Sequence, residues 1–237
     1  DFCLTLHNCD SHAKWYQQVG DYLGTPFFGI DLVNLAPGRH VEQRTEYIAG
    51  QLYDAIEWME KVTKRRYDDE KFIQAVNTEW ESRVWYARTC ELLQTIPAPL
   101  DMRMLASFTA CLFVAKPCRP QVAELMKLLY DETLDRVNNG VAALGFREKV
   151  RLFHEGIFPQ YAIGGWAPGA LGRVVVDYGA IFLGARIQFA IQGAWNIHPD
   201  GSWTAAQTPA ERGITLRTRE DAVRSLADLY LTHGPQM

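Results

Sequence analysis

The stretch LTLHNCDSHAKWYQQVGDYLGTPFFGID, residues 4–31, determines the type of fold that we expect for this chain. It begins with a short apolar run, and Asp10 or Ser11 can cap the helix that follows by accepting backbone N–H bonds. Gly24 suits the end of that helix, and Pro26 prevents its continuation before a second apolar run. Two apolar runs joined by a helix predict a βαβ unit with parallel strands.

Cys9 lies at the predicted carboxyl end of the first strand and at the start of the helix. Ligands bind beyond the carboxyl ends of strands in such sheets, and the helix dipole favours a thiolate there. Cys9 is therefore a candidate nucleophile or iron–sulfur ligand, although a half-buried cysteine without a role fits the local sequence equally well. His7 and His12 flank it and can donate to a sulfur, but polar loop histidines without that role are more common.

Composition restricts the class of protein. The chain has 237 residues, of which 48% are hydrophobic and 22% charged, and a formal net charge of −4. It has no basic excess for binding nucleic acid, and no apolar run reaches the roughly 18 residues of a membrane span. Five cysteines without a CxxC pair indicate a reducing, cytoplasmic setting with free thiols or metal ligands.

The pattern of elements predicts an α/β protein with Rossmann-like parallel-sheet domains and a large inserted helical block. We expect residues 1–39 to end an N-terminal α/β domain, residues 40–147 to form the helical block, and residues 148–237 to begin a C-terminal α/β domain. The start inside an apolar run suggests a segment of a longer subunit. Turn residues and two tryptophans in residues 192–212 predict a long loop.

A second candidate site follows the predicted strand in FHEGIFPQYAIGGWAPG, residues 153–169. His154 and Glu155 stand at the strand end, Trp166 adds a flat apolar surface, and Gly165 lets the backbone approach a ligand. Glu155 could give a proton to a substrate or orient it, whereas a solvated loop carboxylate is the simpler interpretation.

Several catalytic motifs are missing from the sequence. There is no GxxxxGK[ST], so the chain should not bind ATP through a P-loop of its own. GxSxG, HExxH and the dinucleotide-binding GxGxxG are also absent.

The order of four stretches resembles the iron–sulfur family of 2-hydroxyacyl-CoA dehydratase subunits and class I benzoyl-CoA reductase subunits. The first is the opening strand, Cys-Asp, helix and strand, and the second is the long helical pair from EYIAGQLYDAIEW to LLQTIPAPL. The third is VRLFHEGIFPQY, and the fourth is VVVDYGAIFLGARI followed by SLADLYL. The likeness covers nearly the whole chain.

The resemblance implies a subunit that pairs with a homologous second subunit, acts on a CoA thioester, and carries or borders a [4Fe-4S] cluster held by cysteines. It also implies a separate activator that hydrolyses ATP and has its own iron–sulfur cluster. Only Cys9 matches a cluster cysteine of the family, so the remaining ligands would lie outside this segment. By position, His154 and Glu155 would be the catalytic residues of the substrate pocket, and Gly165 and Trp166 would bind the substrate.

Three functions stay open at this point. Benzoyl-CoA reductase, which dearomatises a ring in anaerobic aromatic degradation, is the first expectation, and 2-hydroxyacyl-CoA dehydratase is the alternative within the family. The third is a non-catalytic partner subunit without a cluster. Two further cysteines in the flanking regions of the full-length protein would support cluster binding, and their absence would support the third hypothesis.

Overall fold

A computed structural model of the chain describes most of its residues. These are residues 1–7, 10–32, 41–101, 116–154, 176–185, 193–198 and 200–231, with Met104, Leu105, Phe108 and Leu112. The chain divides into two compact units, of which unit 1 comprises residues 1–73 and 216–231 and unit 2 comprises residues 74–215. Helices and parallel strand pairs confirm a mixed α/β protein. The Rossmann-like topology and the three sequence-based domains remain predictions.

The helices and strands are numbered in chain order. The helices are α1 (Asp10–Leu23), α2 (Val41–Thr63), α3 (Asp69–Leu92), α4 (Pro120–Asn138) and α5 (Arg219–Leu231). The strands are β1 (Cys3–His7), β2 (Phe27–Asp31), β3 (Val150–His154), β4 (Ala180–Ala185), β5 (Trp195–Ile197) and β6 (Trp203–Ala205).

The predicted βαβ unit is confirmed in unit 1. Strands β1 and β2 are parallel and pair residue by residue from Cys3 opposite Phe27 to His7 opposite Asp31. Helix α1 connects them and ends before Gly24, whose φ of +60° suits a residue without a Cβ. The pairing brings the last residues of both strands to one edge of the sheet.

Helices α2 and α5 pack against each other in unit 1, and α2 also packs on β2. Their buried side chains include Ile48, Leu52, Ile56 and Leu226. The spacing of Thr218 and Asp221 predicts a capping box at the start of α5, and the structure confirms it. The Asp221 N–H donates to the Thr218 hydroxyl, and the Thr218 N–H donates to the Asp221 carboxylate. These contacts fix α2 over the β1–β2 pair.

Unit 2 has its own apolar core. It is formed mainly by α3 and α4, with Tyr86, Cys90, Met126 and Leu129 among its buried side chains. Strands β3 and β4 form a second parallel pair in which His154 lies opposite Ala185, with an irregularity between Leu152 and Phe153. His154 therefore ends a strand, as predicted.

The structure corrects two local predictions. The expected loop over residues 192–212 contains an antiparallel hairpin of β5 and β6, whose tryptophans Trp195 and Trp203 have ring centroids 5.8 Å apart. Strands of three residues carry too little alternation to be recognised in sequence. The apolar spacing from Pro120 onward predicts a helix as far as Leu144, whereas α4 ends at Asn138 because the chain turns through Gly140 at φ +63°.

None of the helices in the described part of the chain combines the length and the hydropathy that a membrane span requires.

The end of α2 offers a test of backbone strain. Lys64 follows the helix at φ +57°, and its N–H donates to the Glu60 carbonyl at 2.9 Å. Glycine carries no Cβ penalty in this left-handed conformation, so Lys64→Gly should raise the free energy of unfolding by about 0.5–1 kcal/mol. Urea denaturation followed by circular dichroism measures the change. Lys64→Ala keeps the Cβ and should give no gain, so an equal gain in both variants would contradict this explanation.

Candidate functional site

The carboxyl edge of β1 and β2 holds a group of polar side chains in hydrogen-bond contact, which we call the strand-end cluster. It consists of His7, Asp10, Asp31, Tyr47 and Gln51. The parallel register places His7 and Asp31 side by side, and α1 begins at Asp10 immediately beyond this edge. Crevices beyond the carboxyl ends of parallel strands are common ligand sites.

His7 is the central residue of the strand-end cluster. Its Nδ1 lies 3.1 Å from an oxygen of Asp31, and its Nε2 lies 3.2 Å from an oxygen of Asp10. The side chain of His7 is half-buried, whereas that of Asp10 is fully exposed. The exposed contact with Asp10 contributes little to stability and can be exchanged for a contact with another molecule. The two ring nitrogens of His7 thus bridge Asp31 and Asp10.

Helix α2 holds Asp31 at three points. The side-chain amide of Gln51 accepts a hydrogen bond from the Asp31 N–H at 2.7 Å and donates one to the Asp31 carbonyl at 2.9 Å. The Tyr47 hydroxyl donates to the Asp31 carboxylate at 3.2 Å. Gln51 thus pairs both backbone groups of the last residue of β2, as a neighbouring strand would. The carboxylate of Asp31 then bridges Tyr47 and His7.

The neighbouring carboxylate changes the acidity of Tyr47. Its hydrogen bond to Asp31 and the negative charge of Asp31 both stabilise the neutral phenol, and desolvation adds to them, so the pKa of Tyr47 lies above its ordinary value of 10.0. Tyr47 therefore stays protonated and remains a hydrogen-bond donor at neutral pH.

The described cysteines do not form a metal site. Cys3 is half-buried in β1, and Cys118 lies on the turn before α4. Cys90 packs in the core of unit 2, and burial raises the pKa of its thiol, which disfavours the thiolate that a metal needs. Among the residues that the structure describes, no group of three or more His, Cys, Asp or Glu side chains could hold a metal ion. These residues therefore do not fit an iron–sulfur ligand set.

Most residues predicted for the two sites lie outside the described part of the chain. This holds for Cys9, Glu155, Gly165 and Trp166, and for the side chain of His12. His154 is described and is half-buried at the end of β3 in unit 2. Their roles remain predictions.

Sequence reasoning found Asp10 as a cap residue and missed Tyr47 and Gln51. The two lie four residues apart and so share one face of α2. The four-residue spacing indicated that Tyr47 and Gln51 lie on one surface of α2, but it did not show that this surface contacts the end of β2. His7, first considered as a flanking donor to Cys9, contacts Asp31 at the end of β2 and Asp10 at the start of α1 through its ring nitrogens.

Comparison with known proteins gives one family over most of the chain. Residues 1–188 match the family model described as 2-hydroxyglutaryl-CoA dehydratase, D-component. The chain is 31% identical over 159 residues to (R)-2-hydroxyglutaryl-CoA dehydratase, subunit alpha, of Acidaminococcus fermentans, which covers 66% of the chain and 33% of that protein.

Two further relatives carry related names. The lactoyl-CoA dehydratase subunit alpha of Anaerotignum propionicum is 31% identical over 220 residues, covering 89% of the chain and 48% of the relative. The (R)-phenyllactyl-CoA dehydratase alpha subunit of Clostridium sporogenes is 28% identical over 158 residues, covering 66% and 39%. The chain thus spans from a third to about half of the length of these relatives.

The raised pKa of Tyr47 can be measured directly. In a pH titration by NMR of protein labelled with carbon-13 at the tyrosine ring, Tyr47 should ionise above pH 10.0, and Asp31→Asn should move its midpoint down toward that value. The hydrogen bond should contribute to stability below about pH 10, where tyrosine in the unfolded chain is neutral, and its contribution should fall as pH rises through the raised pKa.

Tyr47→Phe identifies the signal, and Asp54→Asn, at an exposed carboxylate of the same helix, is the matched control. An equal downward shift in Asp54→Asn would show that general charge, rather than the Asp31 contact, sets the pKa of Tyr47.

Proposed function

Because this chain belongs to the 2-hydroxyglutaryl-CoA dehydratase, D-component family, we propose that it is part of a subunit of a 2-hydroxyacyl-CoA dehydratase, a hydro-lyase acting on CoA thioesters. The observation that carries the proposal is the family match together with relatives that are all named as dehydratase alpha subunits. Benzoyl-CoA reductase, the first expectation from the sequence, receives less support than this alternative. The relatives' names also favour a homologous second subunit as the partner.

The proposed reaction removes water from a 2-hydroxyacyl thioester. The C2–O bond and a C3–H bond break, a C2–C3 double bond forms, and hydroxide and a proton leave as water. A site for this reaction needs hydrogen-bonding groups for the hydroxyl and for the thioester carbonyl. In the strand-end cluster, Nε2 of His7 and the hydroxyl of Tyr47 are such groups, and both are at least partly exposed.

We place the proposed cofactor next to the same cluster. In the sequence, Cys9 lies between His7 and Asp10, two residues whose side chains contact each other. We propose Cys9 as one ligand of a [4Fe-4S] cluster, with the other ligands outside the described residues. When bound, such a cluster supplies single-electron chemistry, and the family resemblance assigns its reduction to an ATP-hydrolysing activator.

The segment after β3 completes the proposal. His154 ends a parallel strand in unit 2, and the sequence that follows contains Glu155, Gly165 and Trp166. We propose these residues as parts of the substrate pocket, because strand ends of parallel pairs are the usual position for ligands. A cytoplasmic location is consistent with the cysteine content of the sequence.

The test uses the full-length subunit, purified without oxygen together with its partner subunit and activator. With ATP and a low-potential electron donor, the complex should convert a 2-hydroxyacyl-CoA into the 2-enoyl-CoA, and benzoyl-CoA should not be reduced. Mass spectrometry of the thioesters distinguishes the two products. Reduction of benzoyl-CoA without dehydration would overturn the assignment.

Cysteine variants test the proposed ligand separately. Cys9→Ser should lower the iron and sulfide content and reduce dehydration by at least about 100-fold, because a thiolate ligand is lost. Cys118→Ser, at a half-buried turn cysteine, is the matched control. It should keep the iron and sulfide content and the dehydration rate of the wild type. Full iron content in Cys9→Ser would refute the ligand role, and a complex without iron in the wild type would favour a non-catalytic subunit.

A further inference from the structure

Unit 1 contains a pocket of about 270 Å³ between the β1–β2 pair and the helices of that unit, about half enclosed and otherwise open to solvent. Its wall combines residues from both strands, from the middle of α2, from the start of α3 and from α5. The lining residues are Leu4, Thr5, Leu6, Ile30, Leu52, Ala55, Ile56, Met59, Tyr67, Phe72, Leu226 and Tyr230. All of them belong to the same compact unit.

The wall of this cavity is apolar. No Asp, Glu, Lys, Arg or His is among the described residues that line it, and its three hydroxyl groups belong to Thr5, Tyr67 and Tyr230. The Thr5 hydroxyl donates to the Leu6 carbonyl, and the ring of Tyr67 packs edge-on against Phe72. A buried water needs two to four polar partners. The lining therefore favours an apolar group, and a charged group would meet no charged partner among the described lining residues.

The volume sets the size of a fitting ligand. An apolar cavity of about 150 Å³ in a protein core can bind benzene. By proportion, the volume of about 270 Å³ here accommodates roughly ten carbon atoms. Ala55 contributes the smallest side chain of the wall, so the free space lies where α2 passes over the sheet.

The cavity adjoins the strand-end cluster along the chain. Leu6 and Ile30, which line it, directly precede His7 and Asp31. On α2, the cluster residue Gln51 is followed at once by the lining residue Leu52. The lining of the pocket and the strand-end cluster therefore come from the same three elements, with consecutive strand residues on opposite faces of the sheet.

We infer that this cavity is a binding site for a small, uncharged, apolar group of roughly six to ten carbons, such as a phenyl ring or a branched alkyl chain. The apolar group can belong to a free apolar molecule or to the acyl side chain of a thioester. The second source rests on the proposed function, whereas occupancy of the cavity by an apolar group does not.

Fluorobenzene is the probe for the cavity itself, detected by fluorine-19 NMR on the chain and by the shift in its melting temperature. The wild type should bind it saturably and melt a few degrees higher in its presence. Ala55→Phe places a phenyl group in the cavity and should weaken binding by at least about tenfold. Glu57→Phe adds a phenyl group at an exposed position of α2 that is not part of the lining, and it should bind the probe as the wild type does.

If Ala55→Phe does not fold, a second variant that fills the same space replaces it. The double variant Ala55→Leu with Leu226→Phe adds the same number of carbons from two helices and should also lose the probe. Absence of saturable binding in the wild type, or equal binding in both filled variants, would overturn the inference.

Competition then distinguishes the two sources. If the acyl group enters, 4-methylpentanoyl-CoA should displace fluorobenzene, and glutaryl-CoA, whose tail carries a carboxylate, should not. Displacement by neither thioester, with binding of fluorobenzene intact, supports the site and assigns it to a free apolar molecule. Displacement by glutaryl-CoA alone would contradict the apolar character of the site. None of these measurements requires turnover, so a failure of the proposed dehydratase activity remains separately visible.

Discussion

The parallel pairing of β1 and β2 is the constraint on which the candidate site depends. Parallel strands without a stagger end at the same edge, so His7 and Asp31 become neighbours although 24 positions separate them in the sequence. The same register places Leu6 opposite Ile30 one residue earlier, on the wall of the apolar cavity. A shift by one residue would exchange the two faces and remove both the polar cluster and the cavity wall.

Helix α2 determines how that edge is used. In the described part of unit 1, its first half satisfies the backbone of Asp31 through Gln51 and orients the Asp31 carboxylate through Tyr47. Its second half turns Leu52, Ala55, Ile56 and Met59 toward the sheet. One helix therefore carries a polar face over the strand ends and an apolar face over the strands.

The local elements of unit 1 could be predicted from the sequence because their signals lie within a few residues. Gly24 and Pro26 mark the end of α1, and Thr218 with Asp221 marks the start of α5. The hairpin of β5 and β6 was missed, because its strands depend on packing between Trp195 and Trp203 rather than on alternation. Family resemblance identified the dehydratase and reductase subunits together, and the comparisons then favoured the dehydratases.

The sequence by itself determined the βαβ start, the apolar character of the helices, and the position of Cys9 beyond a strand end. Only the tertiary structure decided which side chains meet at that end. Hydrogen bonds between α2 and β2 join residues 20 positions apart, and no local pattern encodes which partner Gln51 selects. The cavity likewise exists only where four separate segments pack around the small side chain of Ala55, because its volume depends on their spacing rather than on any one segment.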